Sequence, residues 1–159
     1  MTDRLPKIYA VSACLLGIRC RYNGGHKRSE KVLAFLRDQR FVPVCPELLT
    51  GLPIPRSPAE IVSGSGPEVL RGEAKVKLAD GTYVTEAFVR GAREALLWVK
   101  LVGATQVILK ERSPSCGVHE INRKGKVVAG QGVFAALLIE AGIEVVSEES
   151  CASALIPPK

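Results

Sequence analysis

The chain has few aromatic residues and no long apolar run. Aromatic side chains make up 5% of its 159 residues, too few to predict the base-stacking platforms of single-stranded nucleic-acid binders. No apolar stretch approaches the ~20 residues that span a bilayer, so the sequence does not support a membrane protein. Residues 1–6 lack the apolar stretch of a signal peptide. We therefore expect a cytoplasmic, reducing location.

Closely spaced pairs of metal ligands are also missing. Structural zinc sites usually draw their ligands from C-x-x-C pairs and fill all four positions, and the five cysteines include no such pair. His26 and His119 do not fall in a metal-binding spacing. In a reducing compartment, cysteines are more often thiols, metal ligands or nucleophiles than disulfides.

The composition is that of one globular domain. Hydrophobic residues account for 47% of the chain and charged residues for 24%, which are ordinary fractions for a soluble domain. No repeat and no linker divides the sequence. We expect a single α/β domain over residues 1–159, with its core at residues 8–148.

The formal net charge of +6 is unevenly distributed. The segment from Arg19 to Arg40 contains only two acidic residues, Glu30 and Asp38, against a larger basic set. The basic residues are Arg19, Arg21, Lys27, Arg28, Lys31, Arg37 and Arg40. A solvated basic face is the common outcome for such a run, and attraction for an anionic nucleotide or tRNA is the functional alternative.

Apolar segments alternate with amphipathic ones along the chain. Apolar, β-branched runs predict buried strands at residues 7–12, 41–44, 105–109 and 143–147. Three- and four-residue periodicity predicts helices at residues 30–39, 85–101 and 133–141. Ser29 is a candidate N-cap of the first helix, and Gly103 and Gly142 are candidate ends of the other two. This alternation predicts a doubly wound, Rossmann-like, mainly parallel sheet of about four strands.

Three insertions interrupt this pattern. Residues 52–72 are rich in Pro and Gly and predict an irregular loop. Asp80-Gly81 within residues 74–84 predicts a tight hairpin, and Lys124-Gly125 within residues 121–128 predicts a second one.

Three cysteines follow predicted strands. Cys14, Cys45 and Cys116 lie at or just past the carboxyl ends of the first, second and third strands. The carboxyl ends of parallel strands meet at one edge of a sheet, where ligands bind. We therefore expect the three thiols to converge there, although buried cysteines can also act as small hydrophobic residues.

The residues beside these cysteines favour loops that expose the thiols to a ligand. Pro46 turns the chain after Cys45, and the loop at residues 113–117 contains Pro and Gly, so it can aim N–H groups and hydroxyls at a thiolate or a cluster sulfur. Soft thiolates select zinc, copper(I) or iron–sulfur clusters. Three thiolates from distant loops suit a cubane cluster with one open iron, and a structural zinc protein remains an alternative.

Short motifs over almost the whole chain, residues 8–148, resemble the DUF523 family, which includes thiouracil desulfidases. The motifs are VSACLLG at 11–17, RYNG at 21–24, PVCPE at 43–47, GLPIPR at 51–56, VT at 84–85, GA at 91–92, KERSPSCG at 110–117 and GIEV at 142–145.

The resemblance implies a [4Fe–4S] cluster held by Cys14, Cys45 and Cys116. It implies a non-redox desulfuration of a small thiolated substrate such as a 2-thiopyrimidine, with release of sulfide. Glu47 would be the catalytic acid/base, and Ser113 would be a polar partner for substrate or proton transfer. Without the resemblance, Glu47 is equally well explained as an acid in the first turn of a helix.

Some residues depart from this pattern. Phe134 stands where the family commonly has Thr, which affects either substrate contacts or only a helix cap. Cys20 lies near the proposed site but matches no ligand role, and it is interpreted as a bystander thiol and not as a spare ligand. Cys151 lies in a polar C-terminal tail and is expected to have no role.

Two other functions fit parts of the sequence. Gly130-x-Gly132 at a predicted helix start imitates a dinucleotide-binding fingerprint, with Glu148 as the ribose-binding acid, although the segment before it reads as a polar hairpin strand. A cluster protein with the basic segment from Arg19 to Arg40 could instead be a dethiolase or sulfur carrier for thiolated tRNA.

Overall fold

The computed structural model describes residues 5–151, in which helices alternate with short strands. In chain order the strands are β1 (Ile8–Ser12), β2 (Arg40–Val44), β3 (Ala59–Ile61), β4 (Val76–Leu78), β5 (Gln106–Leu109), β6 (Glu120–Arg123), β7 (Lys126–Ala129) and β8 (Glu144–Ser147). The α-helices are α1 (Glu30–Leu36), α2 (Gly66–Leu70), α3 (Thr85–Leu101) and α4 (Val133–Glu140). The structure does not describe residues 1–4 and 152–159. The predicted domain of residues 1–159 and the expected lack of a signal peptide in residues 1–6 therefore lie partly outside the described residues.

Four of these strands build the central sheet of the described chain, in the order β2-β1-β5-β8. All three neighbouring pairs are parallel. Because β1 lies in the middle and its neighbours follow it in both directions, the sheet is doubly wound, as the sequence predicts.

The sheet is covered on both faces, since successive side chains of a strand point to opposite sides. Ala10 of β1 belongs to the core beneath α3 and α4. Its neighbours Tyr9 and Val11 belong to a second core, beneath α1. The inner strands β1 and β5 are therefore buried along nearly their whole length, whereas the edge strand β2 exposes Arg40, Phe41 and Pro43.

The helix ends follow the predicted chemistry with one exception. The Ser29 hydroxyl accepts a hydrogen bond from the Val32 N–H at 3.2 Å. Gly103 and Gly142 adopt positive φ angles of 73° and 76° directly after their helices. The first helix ends at Leu36, three residues earlier than predicted. Among residues 5–151, no helix is both long and apolar enough to span a membrane.

The prediction of an irregular loop at residues 52–72 was wrong in part. This segment contains β3 and α2, which short-range patterns do not reveal because β3 has only three residues. The tight hairpin predicted at residues 74–84 is confirmed. Its turn at Asp80-Gly81 forms, with the Gly81 N–H donating to the Leu78 carbonyl at 2.9 Å, and an antiparallel bridge joins Lys77 to Tyr83. On its other edge, β4 also pairs with β3. The hairpin around Lys124-Gly125 is confirmed as β6 and β7.

Candidate active site

The three predicted cysteines line one cleft at the carboxyl edge of the sheet. Cys14 lies in a 3-10 turn, Ala13–Leu16, directly after β1, and Cys45 directly follows β2. Cys116 lies in the loop after β5. All three line a cleft of about 370 Å³, so the convergence expected from parallel strands is present.

A fourth thiol lies among them. Cys20 is 1% exposed and lies within hydrogen-bonding reach of both Cys14 and Cys45, although its one S–H can donate to only one of them at a time. The loop that carries it folds back over β1, because the Lys27 N–H donates to the Cys14 carbonyl at 2.9 Å. Cys20 therefore belongs to the cleft lining, and the expectation that it lies near the site is confirmed.

The Cys20 S–H favours a thiolate at one of two predicted ligands, Cys14 or Cys45, according to which sulfur accepts it. The hydrogen bond with Cys20 lowers the pKa of Cys14 against the effect of burial, and the charges of Lys110 and Arg21 add to this. When Cys45 accepts it instead, the hydrogen bond with Cys20 lowers the pKa of Cys45, against burial and with help from backbone N–H groups. Thiolate is the form that binds metal.

Cys116 is in a different environment. Burial raises the pKa of its thiol well above the usual value, and the neighbouring Cys45 and Cys14 raise it further. Ser12 forms a hydrogen bond with this thiol and opposes the shift. Three thiolates this close together would repel each other without a cation between them.

Glu47 lies in the same cleft, two residues after Cys45. Its carboxylate Oε1 is 3.4 Å from Nη2 of Arg56, and the Arg56 side chain is only 3% exposed. Burial raises the pKa of Glu47, and the charges of Arg56 and Arg21 partly counteract this. The carboxyl group is therefore suited to proton exchange nearer neutrality than an exposed glutamate.

The Cys45 sulfur receives backbone donors, whereas the Cys116 loop uses its own donors internally. The N–H groups of Leu48 and Glu47 form hydrogen bonds to Cys45. The N–H groups of Ser115 and Cys116 both donate to the Ser113 hydroxyl oxygen at 3.1 Å. The expectation that the loop at residues 113–117 aims these N–H groups at a thiolate or cluster sulfur was therefore wrong.

Glu111 holds the loop that carries Cys116. Its buried Oε1 accepts hydrogen bonds from three backbone N–H groups, those of Val118, His119 and Glu120, at 2.7–3.1 Å. Its Oε2 lies 3.1 Å from Nδ1 of His119. The Glu111 carboxylate thus joins the two ends of the loop that contains Cys116 and fixes the position of this residue.

The Gly-x-Gly motif serves packing and not dinucleotide binding. The N–H groups of Val133 and Phe134, at the start of α4, donate to the carbonyls of Pro114 and Ser115 at 2.8 and 2.9 Å. A β-carbon on Gly132 would overlap the backbone of Ser115. The helix start that a pyrophosphate would need is therefore occupied by the Cys116 loop, and the segment before it is the antiparallel strand β7.

The dinucleotide-binding alternative also assigns Glu148 to the ribose, but this carboxylate already has partners within the protein. Oε2 of Glu148 accepts from the Glu111 N–H at 2.6 Å, and its Oε1 is 3.2 Å from Nζ of Lys110. Lys110 lines the cleft, so Glu148 orients a site residue.

Two departures noted in the sequence have structural explanations. Phe134 is completely buried in the core beneath α4, so its side chain does not face substrate. Cys151 is also completely buried, in the core beneath α1, so the placement of this residue in a polar tail was wrong. That Cys151 has no role in the site stays a prediction.

The basic segment from Arg19 to Arg40 divides into two parts. Arg21 and Lys27 line the cleft. Arg19, Lys31 and Arg37 are exposed, and Arg28 pairs with Glu30 at the surface at 2.6 Å. Only the first part can act directly on a ligand in the cleft.

Sequence reasoning assigned no role to Ser12, Arg56 or Lys110. Each belongs to a motif that resembles the family, so a signal was present. The Ser12 hydroxyl accepts from the Lys110 N–H at 3.0 Å and thereby joins the ends of β1 and β5. Within residues 5–151, no three Cys, His, Asp or Glu side chains are arranged to hold a single metal ion.

Comparisons with known proteins agree with this geometry. The chain is 49% identical over 141 residues to the uncharacterized protein YbbK of Bacillus subtilis (strain 168), covering 87% of this chain and 93% of the relative. The solved structure of the [4Fe-4S]-dependent thiouracil desulfidase TudS (DUF523Vcz) superposes with a TM-score of 0.78 at 38% identity, covering 94% of this chain and 99% of that one. The model of the 2-thiouracil desulfurase family matches residues 9–150. The chain therefore belongs to the 2-thiouracil desulfurase family.

Proposed function

We propose that this chain removes sulfur from a small thiolated pyrimidine such as 2-thiouracil. Water replaces the sulfur of the C=S group, and the products are the oxo compound and sulfide. The proposal depends most on one observation, which is that the same cleft is lined by Cys14, Cys45, Cys116 and Glu47. The family and the likeness to a thiouracil desulfidase support the same chemistry.

The donor set fits a [4Fe–4S] cluster held by Cys14, Cys45 and Cys116. Thiolates are the preferred ligands of such clusters, and the Cys20 S–H already favours a thiolate at Cys14 or Cys45. The N–H groups directed at Cys45 are the kind of outer contact that tunes a cluster. Lys110 and Arg21, both on the cleft, offset the negative charge of several thiolates.

The cluster and the protein contribute different chemistry. A cluster with three protein ligands supplies one open iron, a soft Lewis acid for thiocarbonyl sulfur. Glu47 accepts a proton from the water that adds to carbon and returns it to the departing sulfur. Thiouracil and water then give uracil and hydrogen sulfide, with no change in oxidation state.

Ser113, which also lines the cleft, supports this step. Its hydroxyl oxygen accepts two backbone hydrogen bonds, and this fixes the oxygen while the hydroxyl proton can still be donated. We propose that it donates to a carbonyl or ring nitrogen of the substrate.

The direct test is product formation by anaerobically reconstituted protein. We expect 2-thiouracil to yield uracil and sulfide in equal amounts, without added reductant. Uracil is followed by chromatography and sulfide by methylene blue formation. Loaded protein that releases neither product would refute the proposal, and a requirement for a reductant would refute its non-redox form.

A larger anionic substrate is the second candidate. Arg21 and Lys27 on the cleft, with exposed basic residues beyond it, favour a nucleotide or a thiolated tRNA over an uncharged base. Binding of tRNA that weakens steeply with salt would support the tRNA dethiolase or sulfur-carrier form of the activity. Binding that is absent or indifferent to salt would remove it.

We also propose a reducing, cytoplasmic location. Cys14, Cys20, Cys45 and Cys116 are free thiols in the structure, and an open iron site needs protection from oxidation. Recovery of the native protein in a soluble extract, with its thiols reduced, would test this.

A further inference from the structure

A buried arginine lies against the proposed catalytic carboxylate with its donors unused. Nη2 of Arg56 is 3.4 Å from Oε1 of Glu47, and 3% of the Arg56 side chain is exposed. Within the described residues, no acceptor completes a hydrogen bond to its Nε, Nη1 or Nη2. A guanidinium is always charged and carries five N–H donors, so this environment is costly.

Stability does not explain this pair. A buried ion pair repays the loss of hydration only when its geometry is close and its other donors are satisfied. Neither condition holds for Arg56, since the contact is 3.4 Å long and three nitrogens have no partner in residues 5–151. An apolar side chain of similar volume would serve the fold as well.

The placement of the pair indicates a different role. Glu47 lines the cleft, whereas Arg56 is not among the described residues that line it. The Arg56 N–H donates to the carbonyl of Tyr22 at 2.8 Å, so its backbone is fixed to a residue of the cleft wall. The guanidinium thus approaches the carboxylate from the protein side, through Oε1.

We propose that Arg56 is a positioning residue for the desulfuration. It holds Oε1 of Glu47 and so directs Oε2 toward the water and the thiocarbonyl group in the cleft. The inference rests on the proposed function. Because Arg56 acts through Glu47 and not on the substrate, its loss lowers kcat and leaves KM unchanged.

Arg56→Met tests this, since it removes the charge and keeps most of the volume. We expect kcat to fall about 100-fold with KM within about threefold, while iron content, visible spectrum and thermal midpoint stay those of the wild type. Arg56→Lys keeps the charge without the planar fork and should give an intermediate kcat. Arg71→Met is the matched control, because Arg71 pairs with Glu73 at 3.1 Å at the exposed surface.

The double variant Glu47→Gln/Arg56→Met shows whether Arg56 affects kcat through Glu47 or independently of it. If Arg56 acts through Glu47, its removal costs nothing further in the Glu47→Gln protein. Losses that multiply, a loss confined to KM, or wild-type kcat in Arg56→Met would each overturn the inference. Should Arg56→Met fail to fold, full kcat in Arg56→Lys would overturn it.

The activity of the wild type in the same assay distinguishes failure of the proposed function from failure of the proposed role of Arg56. A wild type that releases no sulfide refutes the proposed function, and the role of Arg56 falls with it. An active wild type beside an equally active Arg56→Met refutes the role of Arg56 alone.

Discussion

Gly91 of α3 lies against the carbonyl oxygen of Pro46, so closely that a β-carbon at position 91 would overlap it. The same β-carbon would lie 3.0 Å from Cγ2 of Thr50. Pro46 stands between Cys45 and Glu47. The lack of a side chain at position 91 therefore sets how deeply a predicted cluster ligand and the predicted acid/base lie in the cleft.

Gly91→Ala is expected to destabilise the protein. At an unobstructed helix position this change stabilises by about 1 kcal/mol, but here the methyl group must displace the loop of Cys45, at a cost of about 1–3 kcal/mol. We expect lower iron content together with a lower free energy of unfolding. Denaturant titration and iron per chain measure the two effects.

Gly81→Ala is the control for this substitution. Gly81 has a φ of 97° and open space around it, so alanine costs about 1–2 kcal/mol through backbone strain alone. Iron content should remain that of the wild type. If Gly91→Ala were stabilising and fully loaded, the packing of α3 would not control the loop.

The sequence was sufficient to predict the sheet and the convergence of three cysteines on one cleft, because both depend on local signals. Continuous apolar runs identify strands that are buried on both faces. Because parallel strands end at one edge, Cys14, Cys45 and Cys116 could be brought together without knowing any distance.

The parts that escaped prediction lie where the sequence has no periodic pattern. Arg56 meets Glu47 from a Pro-rich segment without periodicity. The strand β3 has three residues and pairs with β4, fifteen or more positions away. Short-range patterns carry no information on such contacts, and Cys151 was misassigned for the same reason.

Each of the single substitutions Cys14→Ala, Cys45→Ala and Cys116→Ala should abolish cluster assembly. We expect about four iron and four acid-labile sulfide per chain in the reconstituted wild type and neither in these variants. Cys20→Ala should still assemble the cluster, since Cys20 is a hydrogen-bonding neighbour and not a proposed ligand. Loss of iron in Cys20→Ala, with retention in one of the other three, would reassign the ligand set.

Cys151→Ala separates cluster loss from loss of core packing. Cys151 is completely buried, so its truncation should lower the free energy of unfolding by about 1 kcal/mol and leave iron content unchanged. Urea titration beside the iron assay measures both. A variant with undiminished stability would mean that this thiol contributes little to the core beneath α1.

Glu47→Gln should separate chemistry from cluster assembly. The amide keeps the size of the side chain but can neither accept nor return a proton, so turnover should fall about 10²–10⁴-fold. Iron content and the visible spectrum should be unchanged, because Glu47 is not a proposed ligand. Undiminished release of sulfide from 2-thiouracil would remove Glu47 from the mechanism.

Glu111 should make stability depend on acidic pH. Burial raises the pKa of Glu111, but the N–H groups of His119, Glu120 and Val118, together with the His119 ring, outweigh it and hold the pKa below its usual 4.5. A carboxyl whose pKa is lowered by folding contributes stability above its unfolded pKa and loses it as the pH falls through the folded value.

Glu111→Gln should therefore be less stable than the wild type at pH 7 by about 1–3 kcal/mol, with the difference narrowing below about pH 4.5 as the wild-type carboxylate becomes protonated. Urea titrations from pH 7 to pH 3.5 measure this difference. Glu94→Gln, on the exposed side of α3, should stay within about 0.5 kcal/mol of the wild type throughout. A deficit for Glu111→Gln that is constant over the whole range would mean that Glu111 holds the Cys116 loop by shape, since the contribution of its charge must disappear once the carboxylate is protonated.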